Sequence, residues 1–279
     1  MGRGMSASFG RGLHAAAGRA VSLSAYDRYL GRWSRLTVPD LLSAAEIKQG
    51  HCVLDVASGT GEAASMAIQI VGSGGFVVGA DISLEMLKSA RIRLDEPSFS
   101  VVNADGQALP FRDRAFDAVV CQLGLQFFPS PAAGLLEFRR VVRAGGIVAV
   151  CVNATSDLLP MWGHLADAMD RFLTDEQRKV LELSWSLADP RRLEELFNDA
   201  GFQVVHVERV RREGTIGSFD DYWAPIEEGV GQIPQAYHAL GAADRRFVRG
   251  EVRARLAEYE SADGELTMGV EMLIGSGRT

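Results

Sequence analysis

Val53-Leu54-Asp55-Val56-Ala57-Ser58-Gly59-Thr60-Gly61 is the stretch whose reading decides the fold. An apolar run ends on a carboxylate and then on two glycines one residue apart, which reads as a buried strand turning sharply into a helix. Its continuation, Gly59-Thr60-Gly61-Glu62-Ala63-Ala64, fits the G-x-G-x-x-G/A turn of dinucleotide-binding folds. The glycines permit the sharp turn and let a ligand approach without meeting a Cβ. An ordinary strand-to-helix turn would use them in the same way, so the neighbours must decide what the turn holds.

Outward from that turn the chain alternates strand and helix patterns, the signature of a parallel sheet covered on both faces. Cys52–Ala57 is the first strand, and Met66, Ala67 and Ile70 give the following helical stripe, with Gly72 as its stop. Phe76–Ala80 is the second strand and ends on Asp81; Ser83 caps a helix whose Leu87, Ala90 and Leu94 share a face. Phe99–Val102 runs into Asn103-Ala104-Asp105, and Phe116–Cys121 is the fourth strand. Ser130 and Pro131 start a helix bearing Leu135, Phe138 and Val142 that stops at Gly145-Gly146, before the fifth strand, Ile147–Val152. Near-continuous Val, Ile and Ala runs are what a sheet buried on both faces requires.

Beyond residue 153 the rhythm changes. Trp162, Leu165, Met169 and Phe172 fall at helical spacing, as do Val248, Val252, Leu256 and Tyr259. Asp189-Pro190 starts a helix ending at Gly201, the strand-like Phe202–Val207 follows, and a last strand covers about Glu265–Ile274. The expectation is an α/β, Rossmann-like, seven-stranded, mostly parallel sheet with helices on both faces and helical lid insertions. Its parts are a loose extension over 1–25, a cofactor-binding core with N-terminal helices over 26–153, and a helical insertion over 154–188. A core helix and strand over 189–213, a helical lid over 214–262 and a final strand over 263–279 complete it. Tyr26, Tyr29, Leu30 and Trp33 stripe a short helix before the sheet.

Composition excludes several classes. With 47% apolar residues and mixed charges the chain is an ordinary globular protein, not a disordered one. Lys and Arg total 29 against 36 Asp and Glu, a net charge of −7, which argues against a general nucleic-acid binder. Cys52, Cys121 and Cys151 sit in strand-like apolar runs without zinc-site spacing, so no metal is expected and a reducing cytoplasm fits. Residues 1–25 hold three arginines and no acid, with no apolar run of signal-peptide length. The uncharged stretch 118–136 is broken by Gln122, Gln126, Pro129 and Pro131, so no membrane span is expected.

Carboxylates around the turn indicate the ligand. Asp55 precedes it and Glu62 follows it, a pair that would repel a pyrophosphate but suits an ammonium and a sulfonium. Asp81 ends the second strand, where it can accept both ribose hydroxyls, and Asp105 ends the third, within reach of an exocyclic amine. In an open parallel sheet such strand ends converge on one crevice.

At this point the residues resemble the class I methyltransferases, within them the group typified by ubiquinone/menaquinone C-methyltransferases. Residues Val53–Gly61 are similar to that family's first motif, with Ala57 where glycine is usual, and Gly79–Met86 resembles its second-strand motif. Asp105-Gly106-Gln107-Ala108-Leu109-Pro110-Phe111-Arg112-Asp113 through Phe116-Asp117 is similar to its most recognisable stretch. Phe138–Gly146 resembles its approach to the fifth strand, with Ala144 in place of the usual proline. The resemblance covers about residues 50–152 and implies S-adenosylmethionine as cofactor. It implies that Asp55, Gly59 and Gly61, with Ala57 and Thr60 in the same turn, surround the methionine part. Asp81 would hold the ribose, Ile82 and Met86 pack on adenine, and Asp105 with Gly106 meet the adenine edge. Gln122 and Leu123 would contact the methionine amino group. Met86 suits a helix core equally well.

The expected reaction is methyl transfer to an O, N or C nucleophile of a mid-sized, apolar or aromatic small molecule. Its physical demand is alignment, with the nucleophile about 3–3.5 Å from the methyl group. Candidate substrate contacts are Tyr26, Trp33, Gln126, Trp162 and Tyr222; the aromatic ones cluster in segments assigned to the lid, though each of these also suits core packing. Of five histidines, His164 is the best placed for a general base. A nicotinamide-dependent oxidoreductase is the alternative, disfavoured by Asp55, Glu62 and the Asp105 segment; a non-catalytic cofactor-binding protein is another.

Overall fold

The computed structural model describes residues 23–229 and 231–279, so most of the expected N-terminal extension lies outside the described residues. Seven strands form one sheet: β1 (Cys52–Val56), β2 (Phe76–Asp81), β3 (Phe99–Asn103), β4 (Phe116–Gln122), β5 (Val142–Asn153), β6 (Gln203–Ile216) and β7 (Leu266–Arg278). Their order is β3-β2-β1-β4-β5-β7-β6. The first five are mutually parallel, and β7 is antiparallel to both β5 and β6. Strand order reverses between β1 and β4, which opens a crevice at their C-terminal ends.

Side chains of each strand alternate between two cores. Val53, Val77, Ala118, Val120, Ala149 and Cys151 pack on one face, against helices that include Val38–Ala44 and Glu62–Val71. Leu54, Val78, Val119, Val148 and Val150 pack on the other, against Leu135 and Phe138 and against Leu193 and Phe197. Burial on both faces is why these strands read as continuous apolar runs. The helix starts are those the sequence indicates: Ser83 Oγ accepts from Met86 N at 3.4 Å, Ser130 Oγ from Ala133 N at 3.2 Å, and Asp189 Oδ1 from Arg191 N at 3.0 Å.

Some boundaries differ. The stripe of Glu62–Val71 is Ala63, Ala64, Ala67 and Val71, while Ile70 is 41% exposed. The helix that starts at Pro131 stops at Val141, and Val142 already pairs with Phe116 in the sheet. β6 continues through Ile216, beyond both the expected strand and the boundary drawn at 213, and pairs in register from His206↔Ser276 to Ile216↔Leu266. It is the sheet edge, its exposed positions carry charge, and that charge hides the apolar signal of a strand. Before the sheet, residues 23–34 are helical, but the middle turn, Asp27–Gly31, is π-helical. Later helices, Pro160–Met169 and Ala242–Leu256 among them, bury Leu165, Met169, Val248, Val252 and Leu256 in the same core as Met268 and Val270 of β7. No helix of the described residues is long and apolar enough to cross a membrane.

Candidate functional site

A cleft occupies the crevice at the β1/β4 reversal, open to solvent at its mouth. Asp55, Ala57, Gly59, Thr60, Asp81, Ile82, Met86, Gly106, Gln122 and Leu123 all line it.

Asp55 is the deepest of the charged groups at 1% exposure. Its Oδ2 accepts from Ala64 N at 3.0 Å, and its Oδ1 is buried without a partner. Burial pushes its pKa up to about 8, against the opposing pull of the Ala64 N–H. Asp81 anchors the turn from the β2 side: Gly59 N donates to Oδ2 at 2.9 Å and Ser83 N to Oδ1 at 2.8 Å. Burial raises its pKa as well. Gly59 has φ +53, and a Cβ there would lie 3.4 Å from the Tyr26 hydroxyl, which closes over the turn. Ala57 and Leu123 hold the same left-handed backbone, φ +56 and +54, without being glycine.

Asp105 and Gly61 are not among the residues that line the cleft, although their chain neighbours are. The Asp105 carboxylate turns back on its own loop, accepting from Gln107 N at 2.8 Å and from Gln107 Nε2 at 3.2 Å. Gly61 has φ +84 at the helix start, and a Cβ would lie 2.7 Å from Leu94 Cδ1, so its task is close helix packing. Gly106 does reach the cleft, and a Cβ on it would meet Phe128 Cζ at 2.4 Å. Gln122 Nε2 donates to Ser34 O and Thr37 Oγ1, leaving Oε1 buried without a partner. Glu62 lines the cleft, but its charge is not free: Arg35 Nη1 donates to both carboxylate oxygens at 3.0 and 2.9 Å, and Arg93 to Oε1.

Of the expected substrate contacts, Tyr26, Gln126 and Trp162 line the cleft, while Trp33 and Tyr222 do not. Trp33 packs where a Cβ on Gly214 would come 2.5 Å from its ring, and the Tyr222 hydroxyl donates to Met161 O at 2.8 Å. Both are core residues. Gln126 is committed to the protein, donating to Ser184 O and accepting from Asn153 N. His164 also lies off the cleft, its ring 6.0 Å from that of Tyr259, and burial followed by Arg255 lowers its pKa. Sequence reasoning assigned no role to Ser58, although it lies within the first motif, or to Asn153 and Gln232, which line the cleft outside the motifs, and saw Tyr29 only as one member of an aromatic stripe. No group of acids, histidines and cysteines among the described residues could hold a metal ion.

The unpartnered atoms test the cofactor. Asp55 Oδ1 and Gln122 Oε1 are buried acceptors, and Ser58 Oγ and Thr60 Oγ1 buried hydroxyls, all without hydrogen-bond partners on residues that line the cleft. Buried polar groups are ordinarily satisfied, so this set calls for a ligand that donates hydrogen bonds and carries positive charge. An amino-acid ammonium beside a sulfonium fits it.

Fold and site together define the class, a Rossmann-like methyltransferase. Residues 54–150 match the family described as a methyltransferase domain. A demethylmenaquinone methyltransferase of Listeria welshimeri is 30% identical over 188 residues, covering 62% of this chain and 78% of that protein. The chain therefore belongs to the class I S-adenosylmethionine-dependent methyltransferases, in the menaquinone/ubiquinone-like group. Among solved structures, a Bacillus halodurans C-125 protein assigned as a methyltransferase shares the fold at TM-score 0.57 and 20% identity, over 86% of this chain and 97% of that one. Haemonchus contortus phosphoethanolamine N-methyltransferase 2, solved with S-adenosyl-L-methionine, gives TM-score 0.59 at 17% identity, over 97% of this chain and 60% of that one. The protein is an S-adenosylmethionine-dependent methyltransferase.

Proposed function

We propose that the enzyme methylates an O, N or C nucleophile of a mid-sized aromatic, quinone-like small molecule, by in-line displacement in a pocket closed by helices. The observation that carries this reading is the mixed lining of one cleft: Asp55 and Asp81 come from β1 and β2, and Tyr29, Phe127, Trp162 and Trp185 add aromatic rings. The Listeria relative, named for demethylmenaquinone, supports a ring-bearing acceptor.

The bound cofactor supplies a methyl group already activated on sulfonium. Asp55 holds the amino-acid end, by its free oxygen, and Gln122 Oε1 offers a second acceptor there. Asp81 fixes the turn through Gly59 and Ser83 and presents its carboxylate edge to the ribose. Ile82 and Met86 give the purine an apolar wall, above Gly106. Closing segments come from residues 23–34 and from the helix Gln232–His238, which bring Tyr26, Tyr29, Gln232 and Ile233 to the cleft and exclude water. We assign the helices within 154–188 and 214–262 to this closing layer.

Isothermal titration with S-adenosylmethionine tests the cofactor half. Absence of binding at high micromolar cofactor would sink the reading. Asp81→Ala removes a carboxylate that accepts charge-assisted hydrogen bonds and should weaken binding by about 1.5–3 kcal/mol.

A further inference from the structure

The unpartnered atoms of the cleft fall into two sets, and only the first suits the cofactor. The second consists of Tyr29 Oη, Trp162 Nε1, Asn153 Oδ1 and both amide atoms of Gln232, all buried, all without a partner, on residues that line the cleft. Tyr29, Trp162 and Asn153 are 4%, 3% and 5% exposed, so water does not satisfy them from outside. Each such atom costs about 1–3 kcal/mol if nothing binds it. Four cleft-lining side chains left this way mark a place where a ligand supplies the missing bonds.

Their chemistry constrains the ligand. The indole N–H of Trp162 only donates. The unpartnered atom of Asn153 is Oδ1, which only accepts, while its Nδ2 donates to Ser184 O at 3.1 Å. Tyr29 and Gln232 can do either. Burial holds the Tyr29 phenol well above its ordinary pKa, so it stays neutral and remains a donor. Tyr29 also depends on its setting: a Cβ on Gly231 would lie 3.3 Å from its Cε1, so the glycine before Gln232 makes room for the ring. Among the described residues no Lys, Arg or His lines the cleft, and its carboxylates are Asp55, Glu62 and Asp81.

We propose that Tyr29, Trp162, Asn153 and Gln232 are the specificity-determining residues for the methyl acceptor, and that they read the hydroxyl oxygens of an uncharged aromatic ring. A ring hydroxyl answers both one-way atoms, accepting from Trp162 and donating to Asn153. A carboxylate or phosphate would meet no cation here, and an ammonium no free anion beyond those the cofactor takes. The inference rests on the methyl-transfer reading and sharpens it, since the same aromatic lining becomes a hydrogen-bonding lining of fixed polarity.

The test uses the full chain loaded with S-adenosylhomocysteine, which blocks turnover, and four probes: 1-naphthol, 1-methoxynaphthalene, naphthalene and 1-naphthoate. Affinity is expected to fall in that order, with 1-naphthol bound roughly tenfold or more tightly than naphthalene. Trp162→Phe and Tyr29→Phe, which remove a donor and keep a ring, should each weaken 1-naphthol about three- to tenfold. Neither should move the affinity for naphthalene, nor shift that for S-adenosylhomocysteine beyond about twofold, which also reports that the variants fold. Equal binding of 1-naphthol and naphthalene, preference for 1-naphthoate, no binding of 1-naphthol, or indifference of both variants would each overturn the proposal while leaving cofactor binding intact. Failure of the wild-type enzyme to bind S-adenosylhomocysteine would instead overturn the methyl-transfer reading, and this one with it.

Discussion

Asp55 carries a proton problem that makes it the most informative single residue. Its native pKa of about 8 lies above the unfolded value of about 3.9, so between those limits the folded protein binds the extra proton. Stability from this group is therefore full below about pH 4, declines as pH rises through the window, and is gone above about pH 8. Urea titrations of the ligand-free enzyme at successive pH values should show that decline, and Asp55→Asn should flatten it. A cationic cofactor reverses the preference and draws the carboxyl into its ionised form. Binding at neutral pH should therefore release close to one proton, measurable by calorimetry in buffers of different ionisation enthalpy and absent in Asp55→Asn. Asp55 and Asp81 were legible in the sequence because each ends an apolar strand beside a turn. Asp105 follows the same pattern, yet its carboxylate is consumed by Gln107, and a partner two residues away leaves no mark in strand periodicity. Residues with no pattern of their own, such as Asn153 and Gln232, could only be found in three dimensions.

Elements meet at the cleft through contacts that sequence spacing does not reveal. Glu62, at the first turn of its helix, is 7% exposed and ties together Arg35 from beside the N-terminal helical segment and Arg93 from the helix Leu84–Arg93. Two guanidiniums, each about a third exposed, share one buried carboxylate, so the pairing is screened only in part. Glu62→Gln should cost on the order of 1 kcal/mol at low salt and less in molar salt, read by thermal unfolding. The sequence placed Glu62 correctly and misjudged its task, since neither arginine is near it along the chain. Gly106 is the tighter joint. A methyl there would press on Phe128 and on Val56 Cγ1 at 2.9 Å, so Gly106→Ala should destabilise by about 1–3 kcal/mol in urea unfolding. It should weaken the cofactor too, because the loop that carries Gly106 lines the cleft.

At the scale of the molecule, alternation of strand and helix was enough to give the sheet, its parallel majority and the crevice. The antiparallel arm was underestimated, because charge on the edge strand β6 masks half of its pattern. The cleft proposed for the cofactor is lined from the ends of β1, β2 and β4, so cofactor binding there should stabilise the whole domain. At a hundredfold excess over Kd the gain is about 2.7 kcal/mol, which should raise Tm by about 5–10 °C in differential scanning fluorimetry. β7 has a different consequence. It follows β6 in the chain yet lies between β5 and β6, pairing with both. A chain emerging from the ribosome can therefore assemble β1 to β5, but β6 has no neighbour until residues 266–278 arrive. For the time needed to make the intervening helices, a strand of 14 residues waits unpaired. Its run of arginines and glutamates, which hid it from pattern reading, is also what keeps a nascent edge from joining other chains.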